Sequence, residues 1–173
     1  MSEDEANALK DQGTEKMNNG DYNGAIELFN QAVEMDPNNK EAWNGLGFSY
    51  DGVKNIEKAI EAYNKAIEID PEYVRAINNL GWVFYSEGER GHGNDNYAKG
   101  AEYFDKALQL DDNFKQAWSN MGLAQWGLKD YKKSKSCFEK ALAIDSGFKT
   151  AQANLDILLK EQPSLAEEAP ADE

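Results

Sequence analysis

The sequence is short of nearly everything from which a catalytic or metal centre is built. Cys137 is the single cysteine and His92 the single histidine among 173 residues. That supply excludes an internal disulfide, a two-cysteine redox pair and a zinc site made of His and Cys clusters. No apolar run approaches the roughly 18 residues that a membrane span needs, so no membrane insertion is expected. Positive charge is scarce as well: 18 Lys and Arg stand against 32 Asp and Glu, for a net charge of −14. Nucleic acid and anionic lipid are polyanions, and this balance argues against both as partners. The acidic opening Met1-Ser2-Glu3-Asp4-Glu5 has neither the basic start nor the apolar stretch of a secretory leader, and the expected location is cytoplasmic. Hydrophobic residues at 40% are enough for a packed core, so the chain reads as one domain of ordinary size rather than a disordered one.

What is present is repetition. Gly13, Gly47 and Gly81 are spaced by 34 residues, and Gly122 follows 41 residues later. Ala25, Ala59, Gly100 and Ser134 step by 34, 41 and 34, as do Ala32, Ala66, Ala107 and Ala141 and the aromatics Phe29, Tyr63, Phe104 and Phe138. One insertion of seven residues between Gly81 and Gly100 accounts for every long step. Pro37 and Pro71 fall at equivalent places and disfavour helix in the residue before them, which ends an element there. A glycine inside a helix costs about 1 kcal/mol relative to alanine. Recurrent small residues such as Gly47 and Ala59 therefore make sense if two antiparallel helices approach closely there. Trp43, Leu46, Tyr50 and Tyr63 then fill the remaining space, and Trp118 takes the place of Trp43 in the last repeat. Asp21 and Asp130 sit where a side-chain oxygen caps the second helix of a pair.

These residues resemble the signature of the tetratricopeptide repeat (TPR), a helix–turn–helix unit of about 34 residues. Repeat two carries the whole pattern in Trp43, Leu46, Gly47, Tyr50, Ala59, Tyr63, Ala66 and Pro71. The resemblance implies an all-α fold, a right-handed TPR superhelix or α-α solenoid of four helix-turn-helix repeats with a C-terminal capping helix. The expected boundaries are 6–39, 40–73, 74–114 with the insertion in its inter-helix loop, and 115–148. Residues 149–162, with the apolar stripe Ala151, Leu155, Leu158 and Leu159, are expected to form the cap. The acidic remainder, 163–173, is expected to be disordered. The polar, glycine-rich stretch at 87–97 reads as a flexible loop. It lacks the strand and Gly-Lys-Ser/Thr of a phosphate-binding loop and the closing Glu of an EF-hand.

The same resemblance implies a concave face lined by the first helices, with ligand contacts at the second, fifth, ninth, twelfth and thirteenth positions. Carried over residue by residue, these are Asn7, Lys10, Thr14, Met17 and Asn18 in repeat one, and Glu41, Asn44, Phe48, Asp51 and Gly52 in repeat two. Repeat three supplies Arg75, Asn78, Trp82, Tyr85 and Ser86, and repeat four Gln116, Ser119, Leu123, Trp126 and Gly127. Phe48, Trp82 and Leu123 share one position and make an apolar row, extended by Tyr85 and Trp126. Packing of that row between neighbouring helices is the competing reading. Asn44, Asn78, Asn79 and Asn120 offer donors and acceptors to an extended backbone. The Lys, Asn and Arg set with which co-chaperone TPR domains grip a terminal carboxylate is incomplete: Lys10 and Arg75 fit, but Thr14, Gly45 and Asn79 replace other members. A chaperone-tail adaptor is therefore disfavoured. No Ser/His/Asp set nominates a catalytic centre, so no enzyme activity and no cofactor are expected. The expected function is a protein–protein interaction scaffold that binds a peptide segment of a protein partner in the groove. Self-assembly into a homo-oligomer without a separate ligand is the alternative.

Overall fold

A computed structural model describes residues 3–91 and 93–166 of the chain. Among these residues there are nine α-helices and no strand. They are α1 (Glu3–Asn18), α2 (Tyr22–Met35), α3 (Lys40–Gly52), α4 (Ile56–Ile69), α5 (Val74–Glu89), α6 (Asn94–Leu110), α7 (Lys115–Gly127), α8 (Tyr131–Ile144) and α9 (Lys149–Glu161), and a short 3-10 turn follows at Pro163–Ala166. The chain falls into two compact units, Met1–Val83 and Phe84–Glu173, divided inside α5. Short connections force successive helices to run antiparallel.

In the first unit α1 packs on α2, α2 on α3, and α3 on α4. Phe29, fully buried, is the hub of its core with Ala25, Ala32, Val33, Ala42, Leu46 and Ala62. The helices close on this ring because two glycines face it. A methyl group added at Gly13 or Gly45 would lie 2.9 or 2.4 Å from the Phe29 ring. At Gly47 the added methyl would meet the ring of Tyr63 at 2.6 Å. The neighbour that requires Gly47 is thus the aromatic one helical turn beyond Ala59, while Ala59 itself is fully buried. In the second unit Gly122 and Phe138 repeat the arrangement, also at 2.6 Å. There Leu155, Leu158 and Leu165 join Phe138 in one core cluster, and Ala151 is fully buried.

Local chemistry explains the helix ends. Asp21 and Asp130 each accept a backbone N–H at the start of α2 and α8, at 3.0 and 3.1 Å, and Asn39 and Asn55 do the same for α3 and α4. The turns before α2, α4 and α8 share one device, a residue with positive φ: Gly20, Lys54 and Lys129 at 78°, 64° and 65°. Trp43 and Trp118 are half-buried, and their indole N–H groups donate to the carbonyls of Pro37 and Asp112 in the preceding turn. They tie the turn down as well as filling space. Lys40 pairs with Asp70 at 2.6 Å and Lys115 with Asp145 at 2.5 Å, which links the start of a hairpin to its end.

Two expectations need correction. The insertion is not chiefly a loop. α5 has 16 residues where α3 and α7 have 13, and α6 has 17 where α4 and α8 have 14. Six of the seven inserted residues therefore lengthen the two helices, leaving Arg90–Gly93 as the turn, in which His92 lies outside the described residues. The reason is Tyr97 in the first turns of α6, whose ring presses on Gly88 of α5 and favours the extra helix. The tail is also shorter than expected. Pro163–Ala166 form the 3-10 turn, because Leu165 is buried beside Phe138 and its carbonyl accepts from Lys135 at 2.9 Å. Residues 167–173 lie outside the described part of the chain.

Candidate functional site

The ninth position of the first helices is where the structure leaves large apolar groups in solvent. In the first unit Phe48 is 44% and Trp82 37% exposed. The ring of Phe48 touches Tyr22, with centroids 6.3 Å apart. Thr14, the same position of α1, turns its hydroxyl back to the carbonyl of Lys10 at 2.9 Å. In the second unit the position is held by half-buried Leu123, and one further step of 34 residues reaches Ile157 on α9, 49% exposed. α9 is thus a cap in its buried stripe and a further first helix in its outward face.

Leu123 and Ile157 line an open hollow of about 400 Å³ in the second unit. Its walls are Tyr85 and Glu89 of α5, Trp126 and Gly127 of α7, and Asn154 and Glu161 of α9. Trp126 is fixed by an edge contact with Phe138 at 6.4 Å. Tyr97 forms the back of this wall. Its ring would collide with a methyl group at Gly88 or Gly127, each at 2.7 Å, and it lies 5.8 Å from the Tyr85 ring. Its hydroxyl donates to Glu89 Oε1 at 2.7 Å. Desolvation, the hydrogen bond to Glu89 and the negative charge of Glu89 push the Tyr97 hydroxyl up to about 12. It therefore remains a donor at neutral pH. Tyr85 is also raised, mainly by burial and then by Glu89 and Tyr97.

Of the polar positions expected to meet a ligand, several are committed elsewhere. Asn78 is only 6% and Ser119 only 2% exposed, so neither presents a surface. Asn79 donates to Asn44 at 3.0 Å, a bond between neighbouring first helices. Lys10 pairs with Asp11 at 2.6 Å. Arg75 is exposed, and Asn120 is half-buried. Tyr85, Leu123, Trp126 and Gly127 are the expected residues that share one concavity. Glu89, Asn154, Ile157 and Glu161 were missed. The signal for Ile157 was present in the 34-residue step from Leu123; that for Glu89 was hidden by the insertion.

Cys137 is buried, and burial raises its thiol to about 11, which removes it as a nucleophile. Among the described residues no group of three or more His, Cys, Asp and Glu side chains could hold a metal ion, and no helix is long and apolar enough to cross a membrane.

Paired helices of 13 to 17 residues with glycine–aromatic contacts at a fixed interval define a helical-hairpin repeat protein. Tetratricopeptide-repeat family models match residues 10–74 and 115–148. The chain belongs to the tetratricopeptide-repeat family, an all-α solenoid class. Solved structures agree on the fold. TTC0263, a thermophilic TPR protein of Thermus thermophilus, superposes with a TM-score of 0.82 at 18% identity, over 96% of this chain and 93% of its own. PilF of Pseudomonas aeruginosa gives 0.82 at 24%, over 94% of this chain and 71% of its own. MamA of Desulfovibrio magneticus RS-1 gives 0.74 at 16%, over 95% and 90%. A sequence search of curated proteins found no match. The fold is one that serves as a scaffold for protein–protein interaction, and the family is typically non-catalytic.

Proposed function

We propose that the chain is a binding module that docks a segment of a partner protein on the outward face of its first helices. One observation carries this reading: the ninth position stays large and apolar on α3, α5, α7 and α9 while the stripe beside it is buried, leaving Phe48, Trp82 and Ile157 in water. Large apolar groups left exposed at one recurring position support an interaction surface. Burial of partner side chains on these residues supplies the affinity, at roughly 25 cal/mol per Å² of apolar surface removed from water. Asn154 supplies an amide for a partner backbone at the hollow. Arg75, exposed at the start of α5, contributes a charge that sets direction in the first unit. With Asn78 and Ser119 buried, the polar part of recognition is smaller than the sequence alone suggests.

The test is selection of peptides from a displayed random library on the full chain, followed by affinity measurement against Trp82→Ala combined with Trp126→Ala. The selected peptides are expected to lose most of their affinity. Retention of every selected peptide by this double variant would remove the reading.

A further inference from the structure

The first-helix face of the second unit carries more information than its apolarity. We propose that the hollow over Leu123, Trp126 and Ile157 receives a lysine or arginine side chain from a basic, leucine-rich segment of a partner protein. This rests on the docking role proposed above and adds the chemistry of the occupant.

The hollow combines the apolar side chains of Leu123, Trp126 and Ile157 with the acidic ones of Glu89 and Glu161. Glu89 and Glu161 are both exposed at its edge, and no Lys or Arg among the described residues lines it. Two carboxylates lining one hollow together with large apolar side chains favour a group that is aliphatic along its stem and cationic at its head. Lysine and arginine are such groups, since they lay methylenes on apolar surface and keep the charge at the edge. The indole of Trp126 adds a face to which a cation is attracted.

Glu89 is also held in place before any ligand arrives. Tyr97 donates to it at 2.7 Å, and the Tyr97 ring is fixed by close approach to Gly88 and Gly127. A carboxylate positioned by a neutral donor keeps its full charge for a partner. That fixed orientation reduces the ordering cost on binding. The net charge of −14 steers basic segments toward the chain from a distance.

Charge also counts against the nearest rival occupant, this chain's own end. The residues after Ala166, Glu-Glu-Ala-Pro-Ala-Asp-Glu, include four acidic and no basic ones, the same sign of charge as Glu89 and Glu161.

Two fluorescein-labelled peptides test the proposal on the full chain by fluorescence anisotropy. One alternates leucine with arginine, and the other has glutamate for every arginine. The arginine peptide is expected to bind and the glutamate peptide not to. E89Q with E161Q should weaken the arginine peptide about three- to tenfold. E27Q with E34Q, which removes two exposed charges from α2, makes the same change in net charge and should weaken it by no more than about twofold. Ile157→Ser, at an exposed position, separates the two layers of the argument. Loss of binding in Ile157→Ser with no loss in E89Q/E161Q leaves the docking face standing and overturns the cationic occupant. Equal loss in the two charge pairs also overturns it, since the attraction would then be general. Binding by neither peptide overturns both. Sedimentation of the chain alone covers the last rival: self-association abolished by E89Q/E161Q would assign the hollow to a second copy and overturn the partner peptide.

Discussion

Tyr22 and Tyr97 do the same job in two regions of the molecule, and the difference between them shows what the insertion adds. Each stands near the start of a second helix and presses on a glycine 30 residues later, Gly52 or Gly127, where an added methyl would lie 2.7 Å from the ring. Tyr22 presses on Gly52 and leans on Phe48. Tyr97 is held on a second side by Gly88, which exists in α5 only because the insertion lengthened that helix. The same extra turn brings Glu89 to the Tyr97 hydroxyl. An aromatic plug that is purely a packing element in one unit has become, in the other, a packing element that also aims a carboxylate. A stretch that looks like a solvated loop in composition thus supplies Glu89 to the candidate site.

The comparison can be broken most severely at the aromatic rings shared by both units. Phe29→Ala and Phe138→Ala each empty a fully buried site and should cost about 3–5 kcal/mol in denaturant unfolding. A cost under about 1 kcal/mol at either ring would mean that the glycine–aromatic contact does not organise the fold. The glycines facing the two tyrosines sharpen the contrast. Gly127→Ala should destabilise by about 1–3 kcal/mol through overpacking, because Tyr97 is pinned by Gly88 as well and has no room to move. Gly52→Ala should be close to neutral, since Tyr22 can tilt away and alanine gains about 1 kcal/mol of helix propensity. Equal effects at the two glycines would remove the distinction between the plugs.

The smallest effect concerns features that the units share without difference. Lys40 holds Asp70, and Lys115 holds Asp145, below the ordinary carboxylate range through a side-chain hydrogen bond, helped by the N–H groups of Glu72 and Gly147. A depressed carboxylate stabilises the folded state above its unfolded pKa, and that contribution fades as pH falls through the folded value. Asp70→Asn and Asp145→Asn should therefore each lower stability slightly at neutral pH and flatten its decline in acid, by similar amounts in the two units. The pairs are exposed enough for salt to mute the effect, which thermal melts at low and high ionic strength will register.

Much of this was legible in the residues, for a physical reason. Close helix contact needs missing side chains, and missing side chains at a fixed interval are visible as Gly13, Gly47, Gly122 and the alanines. The caps at Asp21 and Asp130 were equally visible, because capping is local. The outward row was half legible: Phe48, Trp82 and Leu123 follow from the interval, but Ile157 was lost once α9 was read as a cap alone. Polar roles were the least legible. Whether Asn78 and Ser119 face water depends on the closeness of neighbouring helices, and no pattern in the chain reports that distance. The length of α5 was hidden for a related reason. Glycine-rich composition argues for a turn, and only the Tyr97 ring packed on Gly88 outweighs it.

Resonance-shift mapping of the full chain with the leucine–arginine peptide tests the account most directly. The account predicts that the largest shifts fall on Leu123, Trp126, Asn154, Ile157 and Glu161 of α7 and α9, with the indole N–H of Trp126 among them. Shifts concentrated instead on the outward residues of α4, α6 and α8 would contradict it.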